Sequence, residues 1–572
     1  MYVDTCKYSR NGKNYVRHLL RESFRVAGVV THRTIANISH LPENEIAVLK
    51  EALSKKNKSP KQDKQNISIS ELENATIVQK AAFGALFVLN ILAARLGFHR
   101  AFGKSKEAML ALWLVYARLL GCESRLAAAR EARQHSVETI LGLGKFDENN
   151  LYSAMDWLEK NQKSIEDSLN QNRERGSKSV FLYDVTSSYL EGTQNELADW
   201  GYNRDGKKGK MQIVIGLLTD ANGDPLTVEV FDGNTSDTTT CTKKINEIKV
   251  RFNAENIVLV GDRGMIKQPQ IDELEKKDED FLGALSYITA ITKPQIEKLL
   301  RDGVFQMSLF DRQVQEIIHN NIRYIIRRNP CRADEISENR DAKLKKLNEL
   351  LKLKNEYLKD HKKAKPDVAL NKINKCISKL KLSNWVKVSN TERTISLIID
   401  QQALDDESKL DGCYVIKTDI KETDLLSAEQ VHDLYKDLSQ VEWAFRTFKS
   451  DLENRPIFVH KENRTRAHIF SVMLAYKLHR ELIHTLQPHI GQLLQLLFDG
   501  SCSPKQTLTH ADILKELDKI SECDMTISGV TFPKISQPRP MGQKILDILK
   551  IKLPSSSSNP SAVLTTNNHV IR

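Results

Sequence analysis

What this chain lacks narrows the field before anything it contains. Its eight cysteines (Cys6, Cys122, Cys241, Cys331, Cys376, Cys413, Cys502, Cys523) are scattered. None forms a Cys-x-x-Cys or a paired Cys/His spacing that would clamp zinc, so a reduced, cytoplasmic setting is expected. The 15 histidines include no helical His-x-x-x-His beside a glutamate, which removes the common metalloprotease motif. The longest apolar stretch, Ala81 to Ala94, contains Asn90 and stops at Arg95, short of the roughly 20 residues that cross a bilayer. The opening MYVDTCKYSR has no apolar core of a signal peptide. Neither a membrane partner nor secretion is expected.

Acidic residues are also in deficit. Lys and Arg number 85 against 74 Asp and Glu, a net charge of +11, which favours a polyanionic partner through phosphate neutralisation and counterion release. The hydrophobic share of 40% and charged share of 28% are those of a folded globular protein. At roughly 150 residues per domain, 572 residues make three or four units.

The pattern along the chain separates them. Residues 1–50 begin with alternating charged and β-branched positions punctuated by Gly12 and Gly28, a small β-rich head. Residues 52–70 are polar and Lys-rich, as a linker would be. From 72 to 175 apolar residues recur at helical spacing in segments such as SKEAMLALWLVYARLLG, and a helical DNA-binding domain is expected there. At Val180 the period changes to strands: SVFLYDVTSSYL, MQIVIGLLTD, the turn ANGDP, LTVEVFD, a helix-like stretch from Thr238 to Phe252, NIVLVGD, a helix over Gln268 to Lys277, and FLGALSY.

That order, β-β-β-α-β-α-β over 176–295, resembles the first part of a ribonuclease-H-like fold, a mixed α/β sheet flanked by helices. Residues 296–420 read as an α+β insertion, 421–500 as the second part of the core, and 501–572 as a C-terminal region whose last 20 residues form a disordered tail. Within the insertion, residues 351–390 hold 11 Lys and 3 Asp or Glu. This is a phosphate-tracking surface or a solvated charged hairpin.

Two carboxylates stand out. Asp184 interrupts Val180, Phe181, Leu182, Tyr183 and Val185, and Asp262 ends Ile257, Val258, Leu259, Val260 and Gly261. A carboxylate in an apolar strand is costly without a cation or a place at an open edge. A single strand-end Asp is most often a turn or helix cap; two in this strand order define a shared site. Hard divalent cations want oxygen ligands, and a third carboxylate is expected from a later helix. The stretch VHDLYKDLSQVEWAFRTFKSDL supplies it: Tyr435, Leu438, Glu442 and Lys449 would share one helix face, because seven residues advance two turns with only about 20° of drift.

The segments YDVTSSYLEG, FDGNTSD, VLVGDRGM and YKDLSQVEWAFRTFKSDLENRPIFVHKENRTRAHIF resemble, in order, the core of bacterial insertion-sequence DDE transposases of the branch with a Tyr-x2-Arg-x3-Glu-x6-Lys signature. The resemblance covers about residues 178 to 480. It implies that Asp184, Asp262 and Glu442 hold two Mg²⁺ or Mn²⁺ ions, and that Tyr435 and Lys449 contact the DNA end. Leu438 stands at the family's Arg position, so its phosphate contact passes to a neighbour such as Arg446. Further DNA-contact candidates are Arg263, the group Arg204, Lys207, Lys208 and Lys210, and the group Arg455, Arg464, Arg466 and His468; each is equally readable as solubilising charge.

The implied activity is cleavage at transposon ends and strand transfer into target DNA by two-metal phosphoryl transfer. The implied partners are double-stranded DNA, as terminal inverted repeats and target, and a second copy of the chain in a synaptic complex associated with the nucleoid. Two other readings are a nuclease of the same fold that does not join strands, and a transposase-derived DNA-binding protein.

Overall fold

The computed structural model describes residues 2–10, 13–26, 29–43, 45–47, 49–50, 53, 75–122, 124–171, 179–241, 251, 256–275, 284–311, 314–420, 426–498, 507–527 and 530–554. Most of the 52–70 linker, residues 242–250 and 252 of the Thr238–Phe252 stretch, and the C-terminal tail lie outside them. Residues 79–523 with 533–572 make one compact unit, and residues 1–78 with 524–532 another.

In the smaller unit β1 (Tyr2–Arg10), β2 (Lys13–Val26) and β3 (Val29–Asn37) form an antiparallel sheet. The strands are longer than short punctuated ones, with Arg21 on β2 paired to Asp4 on β1 at 2.8 Å.

After β4 (Thr76–Ala82) come α1 (Gly84–Arg95), α2 (Phe98–Phe102), α3 (Lys106–Leu119), α4 (Arg125–Glu131), α5 (Val137–Leu141), α6 (Glu148–Lys160) and α7 (Gln162–Asn170). Every residue of α1 from Gly84 to Ala93 is buried, so this apolar run is a core helix, not a membrane span. Among the described residues no helix is long and apolar enough to cross a membrane. Asp147 and Asn150 close a capping box at the start of α6, satisfying amides that a helix N-terminus otherwise leaves open.

The sheet that carries the chemistry begins with β5 (Ser179–Tyr189), β6 (Gln212–Asp220) and β7 (Pro225–Phe231), each antiparallel to the one before. The β6–β7 turn is an Asn-Gly hairpin: the Asp220 carboxylate accepts the amides of Asn222 and Asp224, each at 2.9 Å, and Gly223 takes a φ of 80° that favours glycine. On the other side of β5, β8 (Asn256–Gly261) and β9 (Ala284–Ala290) run parallel to it, with α8 (Gln268–Glu275) between them in sequence. Three antiparallel strands followed by two parallel ones, in spatial order β7-β6-β5-β8-β9, are the ribonuclease-H-like arrangement.

The sheet does not stop there. After α9 (Lys293–Arg301), β10 (Gln315–His319), β11 (Ile322–Arg328) and, much later, β14 (Cys413–Thr418) extend it to eight strands in the order β10-β11-β14-β9-β8-β5-β6-β7. The insertion expected over 296–420 is therefore too wide. Within the strand-rich patch FDRQVQEIIHNNIRYIIRR, Gln315–His319 and Ile322–Arg328 pair into the main sheet, and only the segment between β11 and β14 forms a separate lobe.

That lobe comprises α10 (Pro330–Asp360), α11 (Pro366–Leu380), the hairpin β12 (Val386–Thr391) and β13 (Thr394–Ile399), and α12 (Gln401–Lys409). Its own core includes Leu347, Leu358, Ile373, Ile377, Trp385 and Ile395. The chain leaves and returns on neighbouring antiparallel strands, with the Asn329 amide donating to the Gly412 carbonyl at 2.9 Å. Gly412 has a φ of 72°, and a Cβ there would lie 2.3 Å from the Asn329 oxygen, so this crossing requires glycine.

Against the sheet pack α13 (Ala428–Lys436), α14 (Ser439–Ser450) and α15 (Glu462–Leu486), and the chain continues through α16 (Ile490–Leu497), α17 (His510–Leu517), β15 (Ser521–Ile527), β16 (Val530–Ile535) and α18 (Pro540–Ile548). Helices α17 and α18 pack on each other and on α15, and α17 also packs on α1. The C-terminal region up to residue 554 is thus largely a folded part of the large unit.

Candidate active site

Side chains alternate across a strand, and that parity decides what Asp184 sees. Phe181, Tyr183 and Val185 point into one core with Leu259, Met265 and Ile266. Leu182 points into the other, with Val441, Ala444, Phe445 and Phe448 of α14. Asp184 and Thr186 share the Leu182 face, on the side that α14 covers. The register pairs Tyr183 with Gly261 across the parallel strands β5 and β8, so the next positions, Asp184 and Asp262, stand side by side. Two carboxylates on adjacent strands face one helix.

The three carboxylates lie within electrostatic reach of one another. The Asp184 carboxyl is raised from its ordinary 3.8 to about 7, first by burial and further by the negative charges of Asp262 and Glu442; the Val185 amide and Arg204 pull it partly back. The Tyr435 hydroxyl hydrogen-bonds with Asp262, and burial pushes its pKa up, with Asp262 and Glu442 adding to the shift. Asp262 also performs the ordinary duty of a turn residue: its Oδ1 accepts the Arg263 amide at 2.7 Å.

The expectation of one continuous helix carrying Tyr435, Leu438, Glu442 and Lys449 is corrected. The segment divides into α13 and α14 around Asp437 and Leu438, where the amides of Leu438, Gln440 and Val441 bond three residues back, to Tyr435, Asp437 and Leu438. This tighter turn keeps Leu438 buried in the core beneath the helices. An arginine there would carry its charge into that core. Tyr435 therefore belongs to α13, and Glu442 and Lys449 to α14.

Lys449 reaches the same face of β5. Its Nζ donates to Thr186 Oγ1 at 2.7 Å and to Asp205 at 2.8 Å. Burial lowers its pKa, Asp205 opposes that, and Arg455 and Arg204 add to it. The Asp205 carboxylate, only 1% exposed, also accepts from Arg455 and from the Tyr189 amide. Asp205 was not legible as a site residue, because it sits in the loop GYNRDGKKGK, where an Asp-Gly reads as a turn. The only available signal was one acid among four cations.

The basic candidates divide in two. One Arg204 nitrogen, Nη2, donates to both Asp237 carboxylate oxygens at 2.6 Å, while its guanidinium lies over Tyr202. Lys210 pairs with Glu191 at 2.5 Å, Arg464 with Asp156 at 3.0 Å, and Arg466 with Glu462 at 2.8 Å. Arg263, Lys207, Lys208 and Arg446 are exposed and have no ion-pair partner among the described residues. Beside them, Trp443, Trp200 and Tyr202 are also exposed. His468 is a correction: it is buried, its Nδ1 lying 3.4 Å from both Arg118 and Arg125, and burial first and then those two cations hold it well below the ordinary imidazole value. It is no surface contact for phosphate.

The site thus brings three acidic groups together, and Asp262 and Glu442 both raise the Asp184 carboxyl. That donor set fits hard divalent cations.

A sheet of this order with carboxylates on adjacent central strands and a facing helix defines a ribonuclease-H-like phosphoryl-transfer protein. Over residues 175–478, more than half of its length, the chain matches the transposase DDE domain, and it belongs to that family. Residues 4–66 match the N-terminal domain of IS1634 family transposases, so the chain is an insertion-sequence DDE transposase, of a family that uses divalent metal. No curated protein matches it in sequence. Among solved structures it is similar to a piggyBac transposase in a synaptic complex with hairpin DNA, at 8% identity and a TM-score of 0.35, with 76% of each chain covered. That likeness is too distant to bear on fold or function.

The pKa of Asp184 has a consequence for stability. An acid raised in the folded state binds its proton more tightly there than when unfolded, so the contribution is favourable at low pH and is lost as pH rises from about 4 to about 7. In chelator, the stability difference between the wild type and Asp184→Asn is expected to move in favour of the variant across that interval, by a few kcal/mol at most (~1.4 per pKa unit). Parallel denaturation midpoints for the two proteins from pH 4 to 8 would show that Asp184 carries no such burden.

Proposed function

We propose that this transposase cleaves DNA at the ends of its element and joins the freed ends to target DNA, with Asp184, Asp262 and Glu442 holding two Mg²⁺ or Mn²⁺ ions. The observation that supports this most directly is the mutual electrostatic influence of the three carboxylates on the face of β5 covered by α14. When bound, the ions would lower the pKa of an attacking water or 3′-hydroxyl and neutralise charge on the leaving oxygen.

The chain's own residues divide the remaining work. Tyr435 orients Asp262 by its hydrogen bond. Lys449, held by Thr186 and Asp205, brings a positive charge alongside the acidic group for a phosphate of the DNA end. Arg446, Arg263, Lys207 and Lys208 are free to track the duplex backbone. Arg204, Lys210, Arg455 and Arg464 are proposed as DNA contacts of a second kind, since they must leave or share their present carboxylates to reach phosphate. Two copies of the chain would bring two ends together on nucleoid DNA.

The test is a strand-transfer assay with purified protein, duplexes carrying the element's inverted repeats, a target plasmid and Mg²⁺. The expected products are a nicked end with a free 3′-hydroxyl, then a joined end–plasmid species, both lost in chelator. Cleavage without any joined product would reduce the chain to a nuclease. Retarded DNA with no cleavage would reduce it to a binding protein.

A further inference from the structure

A second group of metal-type side chains lies away from the acidic site. Asp451 closes the C-terminal end of α14, His479 lies on α15, and His510 is the first residue of α17. One carboxylate oxygen and one nitrogen from each imidazole all lie within 4.8 Å of one another. Asp451 Oδ2 is 3.8 Å from His479 Nε2, and the two rings meet edge to face with centroids 4.9 Å apart. Both histidines are buried and Asp451 is exposed at the rim.

Burial of two adjacent imidazoles is costly unless their nitrogens find partners. Among the described residues neither ring makes a hydrogen bond, and the nearest carboxylate contact is the 3.8 Å one. We infer that Asp451, His479 and His510 form a structural site for a divalent transition-metal ion of the zinc class, which ties the end of the catalytic helix to α15 and α17. Two nitrogens and one carboxylate oxygen suit Zn²⁺, with water at the fourth position, whereas the all-oxygen acidic site suits Mg²⁺. Ligand atoms around tetrahedral zinc lie about 3.4 Å apart, so small side-chain rotations would close the group.

The consequence is mechanical. Glu442 and Lys449 lie on α14, and the ion would clamp that helix two residues beyond Lys449 to a helix that arrives from far along the chain. The three residues are 28 and 31 positions apart, outside the spacing of any local metal motif, which is why the sequence alone does not show them.

Co²⁺ is the probe, added to metal-free full-length protein without a polyhistidine tag. The expected result is one equivalent of Co²⁺ with the visible absorption of a four-coordinate site, displaced by Zn²⁺ and unchanged in Asp184→Ala/Asp262→Ala. Affinity should fall at least about 100-fold in His510→Gln and in Asp451→Asn. The second variant alters an exposed group, so it decides the question if the first does not fold. No visible band, or a band lost with the acidic pair but kept in Asp451→Asn, would overturn the assignment.

Discussion

Glu442→Gln, Asp184→Ala and Asp262→Ala are each expected to abolish cleavage of end DNA, lowering its rate by more than about 10³-fold, while leaving DNA binding largely intact. The reason is the division of charge within the site. The three carboxylates interact with one another, and on the proposed reading an amide or methyl in place of one would remove a charge that the bound ions would need. The exposed cations Arg263, Lys207, Lys208 and Arg446 are untouched, so the duplex is still held. Glutamine is the sharpest substitution at 442 because it keeps the shape of the side chain. Cleavage by Glu442→Gln within tenfold of wild type, measured on labelled end duplexes in Mg²⁺, would mean that the third ligand is another acid. Glu462 is the weaker substitute, since it already pairs with Arg466; Glu453 would be the next to replace.

Asp205→Asn is expected to cost about 3 kcal/mol of stability, the lower end of what breaking a buried ion pair costs. The carboxylate is 1% exposed and answers two cations, Lys449 at 13% and Arg455 at 30%. Removing it strands both, and the partial exposure of Arg455 is why the lower figure applies. Chemical denaturation in chelator reads the loss directly. A change below about 1 kcal/mol would show that water already screens the pair. The same variant frees Lys449 from its anchor, so end binding should weaken more than binding to unrelated DNA.

Asp184 and Asp262 were legible because they break a rule that is otherwise obeyed around them: a charge in a run of strand-forming apolar residues demands an explanation. The order of strands then brought the two to one site, since parallel neighbours with short connections leave few topologies. Asp205 broke no rule where it stood, in a polar loop, and its importance comes from Lys449 and Arg455, 244 and 250 residues away. The outer strands β10 and β11 misled for a related reason: β14, which joins β11 to the rest of the sheet, follows the whole lobe, so nothing local marks them as part of the main sheet. The break between α13 and α14 is invisible to periodicity because the backbone stays helical in sense, merely tightening by one residue at Leu438. His468 was misread by company; neighbouring arginines face solvent, whereas its own position on α15 turns inward.

The lobe between β11 and β14 begins and ends at one hydrogen bond, Asn329 to Gly412. The cost of closing that long excursion is therefore met at its base, by strands that pair whether the excursion is long or short. For a mobile element this makes the lobe an exchangeable cassette. A change in its length or lysine content would be absorbed at that base, while the acidic centre, two strands further into the sheet, would keep its geometry.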